Sequence, residues 1–202
     1  MIKDFDDNFR DGHEEFKNDF IVLKKSITIN NVSYDIEFDS DLNNLGYLLS
    51  YIHTIKINID KTQKNNELNC VCNDEKYKKN CKTKCSFGSK YNVFSAQEPG
   101  ENGKIVQCTF RLNKIKNINH IIDNYGKSNI FTKISNHNTF SKKFNRRINV
   151  ERHQILLMTI DNDGPLNYIL ILDKISEGNK QYFHFVTGYP ITDQKYIDRW
   201  IK

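Results

Sequence analysis

Apolar positions change their period several times along the chain, and each change marks an element. Residues 4–20 are charged, but Phe5, Phe9, Phe16 and Phe20 recur at roughly helical spacing and form one stripe. From Ile21 the period becomes two. Ile27 and Ile29, the pair Asn30-Asn31, then Val32, Tyr34, Ile36 and Phe38 read as a β-hairpin. Residues 42–54 return to helical spacing, with Leu45, Leu48, Leu49 and Ile52 on one face. Asp39 or Asp41 serves as the cap of that helix, and His53 falls at its end as a terminal polar residue. Residues 61–67 are polar and read as a loop.

Past the middle, residues 91–96 and 105–112 read as strands around the turn-like PGENG at 99–103, with Cys108 buried in the second strand. Residues 112–125 predict an amphipathic helix whose buried stripe is Leu112, Ile115, Ile118, Ile122 and Tyr125, stopped by Gly126. Lys114, Lys116 and His120 lie off that stripe. Residues 129–150 are the least regular. There Phe140 and Phe144, four apart, predict a helical turn that packs inward and leaves the basic residues outside. The apolar run ILLMTI at 155–160 and the turn DNDGP lead to two strands over 168–174 and 181–186, joined through SEGN.

In the last strand, Tyr182, His184 and Val186 point to one face and Phe183, Phe185 and Thr187 to the other. Gly188 and Pro190 break the strand and hold Tyr189 between them. Thr192 or Asp193 caps a closing helix carrying Tyr196, Ile197, Trp200 and Ile201. The fold class expected is α+β: helices packed on a small antiparallel sheet in the C-terminal half, with an N-terminal α/β region and a cysteine-rich insert. Three regions follow: an acidic α+β region over 1–66, the cysteine segment over 67–90, and a basic α+β region over 91–202.

Charge sharpens this division. Residues 1–60 carry six basic and twelve acidic side chains, residues 61–202 carry 24 and 13, and the whole chain is +5. Residues 104–147 hold ten Lys or Arg against the single acid Asp123. Such a block suits a polyanion, with Lys133, Lys142, Lys143, Arg146 and Arg147 as candidate nucleic-acid contacts. A solvated lysine-rich face is the other reading. No run of eighteen apolar residues suits a membrane span, and the acidic start lacks the apolar core of a Sec signal peptide. The expected site of action is the cytoplasm, with a specialised secretion route open as a means of delivery.

Cys70, Cys72, Cys81 and Cys85 are spaced C-x-C-x8-C-x3-C in a stretch too polar to build its own core. Four thiolates within sixteen residues can surround a tetrahedral structural Zn²⁺, while two disulfides or free thiols are the alternatives. With four positions filled, such a zinc has no open site for catalysis.

The order of a basic or His-bearing helix, Arg152 opening ILLM, and two strands ending in FHFVTGYPI resembles a superfamily of metal-independent ribonucleases. That superfamily (BECR) groups barnase, EndoU, colicin D and the RelE-type toxins, and the likeness is to its phage and polymorphic-toxin members. It spans roughly residues 104–202. It implies a helix-plus-sheet fold whose concave face binds RNA, tRNA among the candidates, and a cognate immunity or antitoxin protein as a partner. The matching positions are His137, Arg152, Thr187 and Tyr189, and either His137 or His184 is the general base. In the reaction, His moves the proton, Arg or Lys stabilises the phosphorane, and Tyr or Thr donates to a phosphate oxygen. The competing expectations are a non-catalytic, zinc-stapled nucleic-acid- or protein-binding module and a structural or immunity-type interaction protein.

Overall fold

The computed structural model describes residues 3–42, 46–58, 93–94, 105–107, 111, 114–141, 145–161, 164–191 and 194–201; Cys70, Cys72, Cys81, Cys85 and Cys108 lie outside them. The charged N-terminus forms α1 (Lys3–Phe16), which widens into π-helical turns over Lys17–Val22. Its stripe is buried at Phe16 and Phe20. The hairpin follows as β1 (Ser26–Ile29) and β2 (Val32–Glu37). Asn30 and Asn31 have φ of 51° and 64°, and a two-residue turn that matches strand twist needs positive φ at both places.

The helix expected over 42–54 is shorter: α2 is Leu49–Ile55. Gly46 takes φ of 80°, a left-handed conformation that ends any helix there, and Leu42 pairs with Leu48 across the turn. The Asp39 carboxylate accepts the Asp41 amide at 3.0 Å, and the Asp41 carbonyl accepts the Leu49 amide at 2.9 Å. Both residues thus shape the approach to α2. Three short strands, β3 (Lys56–Asn58), β4 (Val93–Phe94) and β5 (Ile105–Gln107), form a small antiparallel sheet in the order β3-β5-β4. α3 (Asn117–Asp123) is the centre of the helix expected over 112–125, and buries Ile118, Ile121 and Ile122 just after the buried Ile115.

The dominant element is a six-stranded mixed sheet, ordered β1-β2-β9-β8-β7-β6. Its long strands are β6 (Ile130–Ser141), β7 (Arg146–Asp161), β8 (Gly164–Glu177) and β9 (Lys180–Ile191), and α4 (Gln194–Ile201) ends the chain. This overturns the expected helices on a small C-terminal antiparallel sheet. The helices are short, and β2 joins β9 in parallel at Ile36↔Phe183 and Glu37↔His184, so the N-terminal hairpin belongs to the main sheet.

The helical turn expected around Phe140 is also overturned. Residues 130–141 are a strand paired to β7 over twelve positions, and Phe140 is 57% exposed. The run of Thr, Ser and Asn there disfavours helix, and the long ladder outweighs the spacing of two aromatics. Nor do Gly188 and Pro190 break β9. β2 flanks β9 only near Phe183 and His184, so at Pro190 the missing N–H takes nothing from a second neighbour among the described residues.

The sheet has two covered faces. On one, Phe183, Phe185, Leu170, Leu172, Ile155 and Leu157 pack with Phe16 and Phe20 from the N-terminal helix, Tyr51 from α2 and Ile118 from α3. Each fully buried side chain of this size contributes about 1.5–3 kcal/mol. On the other, Leu156, Ile169, Tyr189 and Ile191 pack under Ile197 and Trp200 of α4. A bulge reassigns the faces within β9. Leu172 pairs with Phe185 but Ile171 with Thr187, so Val186 is the extra residue. Thr187 therefore shares the face of Tyr182 and His184, opposite to the side that strict alternation predicts. Among the described residues no helix is long and apolar enough to cross a membrane.

At Gly188 a Cβ would meet Tyr168 Cε1 and Oη at 3.0 Å and Ile118 Cγ1 at 3.2 Å. Tyr168 is fully buried and cannot give way, so Gly188→Ala is expected to destabilise the fold by about 1–3 kcal/mol in chemical denaturation. An unchanged midpoint would show that the ring moves freely.

His13 provides a second handle. Its Nε2 accepts the Leu48 amide at 3.0 Å between the rings of Tyr47 and Tyr51, and burial holds its pKa below the ordinary value. A lowered folded pKa means that the unfolded chain binds the proton first. This contribution to stability is full above the ordinary histidine value of about 6.5, and is lost as pH falls through the lowered one. His13→Gln is expected to flatten the fall in stability between pH 7 and 5. An unaltered slope would assign that fall to other groups.

Candidate functional site

Pairing register places Ser135, Arg152, Asp173, His184 and Glu37 in one row across β6, β7, β8, β9 and β2. Residues opposite one another across a ladder share a face, so this row is the floor of a surface. Arg152 and Asp173 are fixed at its centre. Arg152 Nε donates to Asp173 Oδ1 at 2.7 Å and Nη2 donates to Oδ2 at 2.8 Å, a two-pronged contact with both partners largely out of water. These two bonds use two of the five N–H donors that a guanidinium carries.

Above the floor is a cleft of about 420 Å³. Its floor includes Arg152, Asp173, Tyr182 and His184. One wall is residues 37–41, which follow from the parallel pairing of β2. The other is Thr139, Phe140, Ser141 and Ile148 from the distal part of the β6–β7 hairpin. Residues 146–150 pair only with β6, whereas from Glu151 onward β7 also pairs with β8. The hairpin thus leaves the sheet as an arm and borders the cleft.

The carboxylates of the cleft are largely engaged. Asp173 is bound to Arg152, Glu37 accepts from Lys180 at 3.0 Å, and Asp39 accepts the Asp41 amide. The Glu37 hydrogen bond holds the Lys180 ammonium above its ordinary pKa. Among the described residues, such a site offers one fixed guanidinium, one imidazole and several hydroxyls, a set suited to gripping an anion and moving a proton beside it.

The residues named from the sequence divide. Arg152 and His184 meet in the cleft. His137 is exposed on β6, opposite Val150 and diagonal to Arg152, and does not line the cleft. Thr187 and Tyr189 are on the His184 face but beyond the bulge, and Tyr189 is buried in the cluster under α4. The Arg111 guanidinium is 5.1 Å from the centre of the Tyr189 ring.

Of the basic residues, Lys133 donates to the Arg199 carbonyl and its ammonium is 4.9 Å from the centre of the Trp200 ring, so it fastens the end of α4 to β6. Arg146 and Arg147 are exposed on the arm. Lys142, Lys143 and the four candidate zinc ligands lie outside the described residues. Among the described residues no cluster of three or more His, Cys, Asp or Glu can hold a metal ion.

Asp173 is the residue that sequence reasoning passed over. Its signal was one acid inside the apolar strand NYILILDK, matched by one Arg opening the apolar strand next to it. His153 was passed over as well. It is buried on the opposite face, with Nε2 2.7 Å from Glu151 Oε1 and its ring edge-on to Phe183. Compared with family models, curated proteins and solved structures, the chain gives no match.

Removing one partner of a buried ion pair strands the other's charge. Asp173→Ala is therefore expected to cost about 3–5 kcal/mol, read from the urea midpoint. A loss below about 1 kcal/mol would place the pair with solvated surface bridges instead.

Proposed function

We propose that the chain is an endoribonuclease that cleaves RNA by transesterification through the RNA's own 2′-hydroxyl. The observation that carries this reading is the cleft shared by Arg152 and His184, bordered by an arm that bears exposed arginines. The resemblance of residues 104–202 to metal-independent ribonucleases points the same way.

In this reading His184 takes the proton of the 2′-hydroxyl, and the 2′-oxygen bonds to phosphorus. The bond from phosphorus to the 5′-oxygen then breaks, and that oxygen takes a proton from water in the open cleft. Arg152, aimed by Asp173, holds the charge that builds on the phosphoryl oxygens. Asp173 is a positioning residue. Thr187 and Tyr189 support the far half of β9 and do not touch the substrate.

A second reading, a nucleic-acid-binding module without catalysis, is favoured by Phe140, exposed and directly opposite Arg147 on the arm. An aromatic ring beside a guanidinium suits a stacked base and its phosphate.

Purified protein incubated with total tRNA in EDTA is expected to yield discrete fragments. His184→Ala is expected to slow cleavage by roughly 10²–10⁴-fold while leaving the thermal transition in place. Intact tRNA with the parent protein, or parental cleavage by His184→Ala, would sink the enzyme reading and leave the binding module.

A further inference from the structure

A second space adjoins the arm. β7 and β8 pair from Glu151↔Lys174 onward, but at residues 146–150 and 175–177 they part, each keeping only its outer partner. The gap between them is a notch of about 690 Å³, lined by Arg146, Arg147, Asn149, Lys174, Ser176 and Gln181 among others. Ile148 and Ile175 line both this notch and the cleft of Arg152 and His184. The two spaces therefore adjoin beside the arm.

The charge of the notch is cationic in effect. It has Arg146, Arg147 and Lys174 against Glu151 and Glu177. Glu151 is bonded to His153, while neither Arg146 nor Arg147 has a carboxylate partner among the described residues. The Lys174 ammonium is 4.9 Å from the centre of the Tyr34 ring, which leaves its charge uncancelled. The parted strand edges add backbone amides and carbonyls that no other described strand takes up. Asn149 and Gln181 add side-chain amides, which pair with either donors or acceptors. Phe140, exposed where the arm meets the cleft, adds a stacking surface.

We propose that the notch holds a single-stranded RNA segment flanking the bond in the cleft, with the strand running along the arm from one space to the other. Phosphates meet Arg146, Arg147 and Lys174, and bases meet the amides and Phe140. A duplex is too wide to enter between two parted strands of one sheet, so the passage selects single strands. This inference rests on the ribonuclease reading for the identity of the polymer, and its test separates the two.

The probe is fluorescein-labelled 2′-O-methyl dodecauridylate, which the proposed chemistry cannot cleave, compared with its duplex with dodecaadenylate. Anisotropy titrations are expected to show at least tenfold tighter binding of the single strand. The Arg146→Ala/Arg147→Ala double variant and Lys174→Ala are expected to weaken single-strand binding by about tenfold. The slope of log K against log salt is expected to flatten by roughly 0.7 for each phosphate contact removed. Ser176→Trp, which fills the notch without changing charge, is expected to weaken binding as well. Cleavage of the dinucleotide UpA, too short to reach the notch, is expected to match the parent in Ser176→Trp.

Parental binding by the charge variants and by Ser176→Trp would overturn the passage, as would equal binding of the duplex or no oligonucleotide binding at all. If the variants lose binding as expected but no RNA is ever cleaved, the ribonuclease reading falls and the passage stands. If RNA is cleaved while the variants bind like the parent, the passage alone falls.

Discussion

The architecture depends on a very short contact: the parallel pairing of Ile36 and Glu37 with Phe183 and His184. Two residue pairs cannot hold a sheet edge in water. Here they are held by what surrounds them. Phe16, Phe38 and Phe185 pack ring on ring beside the joint, with centroids 4.9–6.1 Å apart, and the Ile36 amide donates to the Lys25 carbonyl at 2.8 Å. The joint brings the two ends of the chain into one hydrophobic core. It also sets residues 37–41 along the edge of the cleft. Pairing residues so distant in sequence carries a loop-closure entropy that the packing around the joint must offset.

Local signals were the legible ones. Asn30-Asn31, the two-residue period around it and the two strands read over 168–174 and 181–186 appear where the pattern places them. Errors came where a local signal competed with a long-range partner. Phe140 and Phe144 have helical spacing, yet β7 offers twelve ladder positions to the segment that holds Phe140. Gly188 and Pro190 are turn residues, yet one neighbour and the close approach of Tyr168 keep them in β9. The helix expected over 42–54 needs a helical Gly46, and Gly46 is left-handed. Within the site, Arg152 and His184 were visible as polar interruptions of apolar strands. Their meeting was not, because it follows from a strand order that no single segment encodes.

The Arg152–Asp173 pair shows how the sheet serves a site. Stripping both groups of water is unfavourable, and a hydrophobic pair of equal volume is often at least as stable. What the ion pair supplies is direction: a planar guanidinium gripped at two points has few remaining orientations. In the proposed function that rigidity keeps a positive charge fixed in the cleft that His184 also lines before any substrate arrives, so no reorganisation is needed when charge develops.

The bulge at Val186 divides β9 into two stretches of opposite parity. Ahead of it, odd-numbered residues enter the main core and even-numbered ones reach the cleft. Beyond it, the odd-numbered Thr187, Tyr189 and Ile191 turn to the side of α4 and the even-numbered Gly188 and Pro190 to the core. One unpaired residue thus acts as a phase shift: each face of a continuous strand keeps its role, while the residues that serve it change from odd to even or from even to odd. A chain with the same strands and no such shift would have to turn either His184 or Tyr189 into the main core.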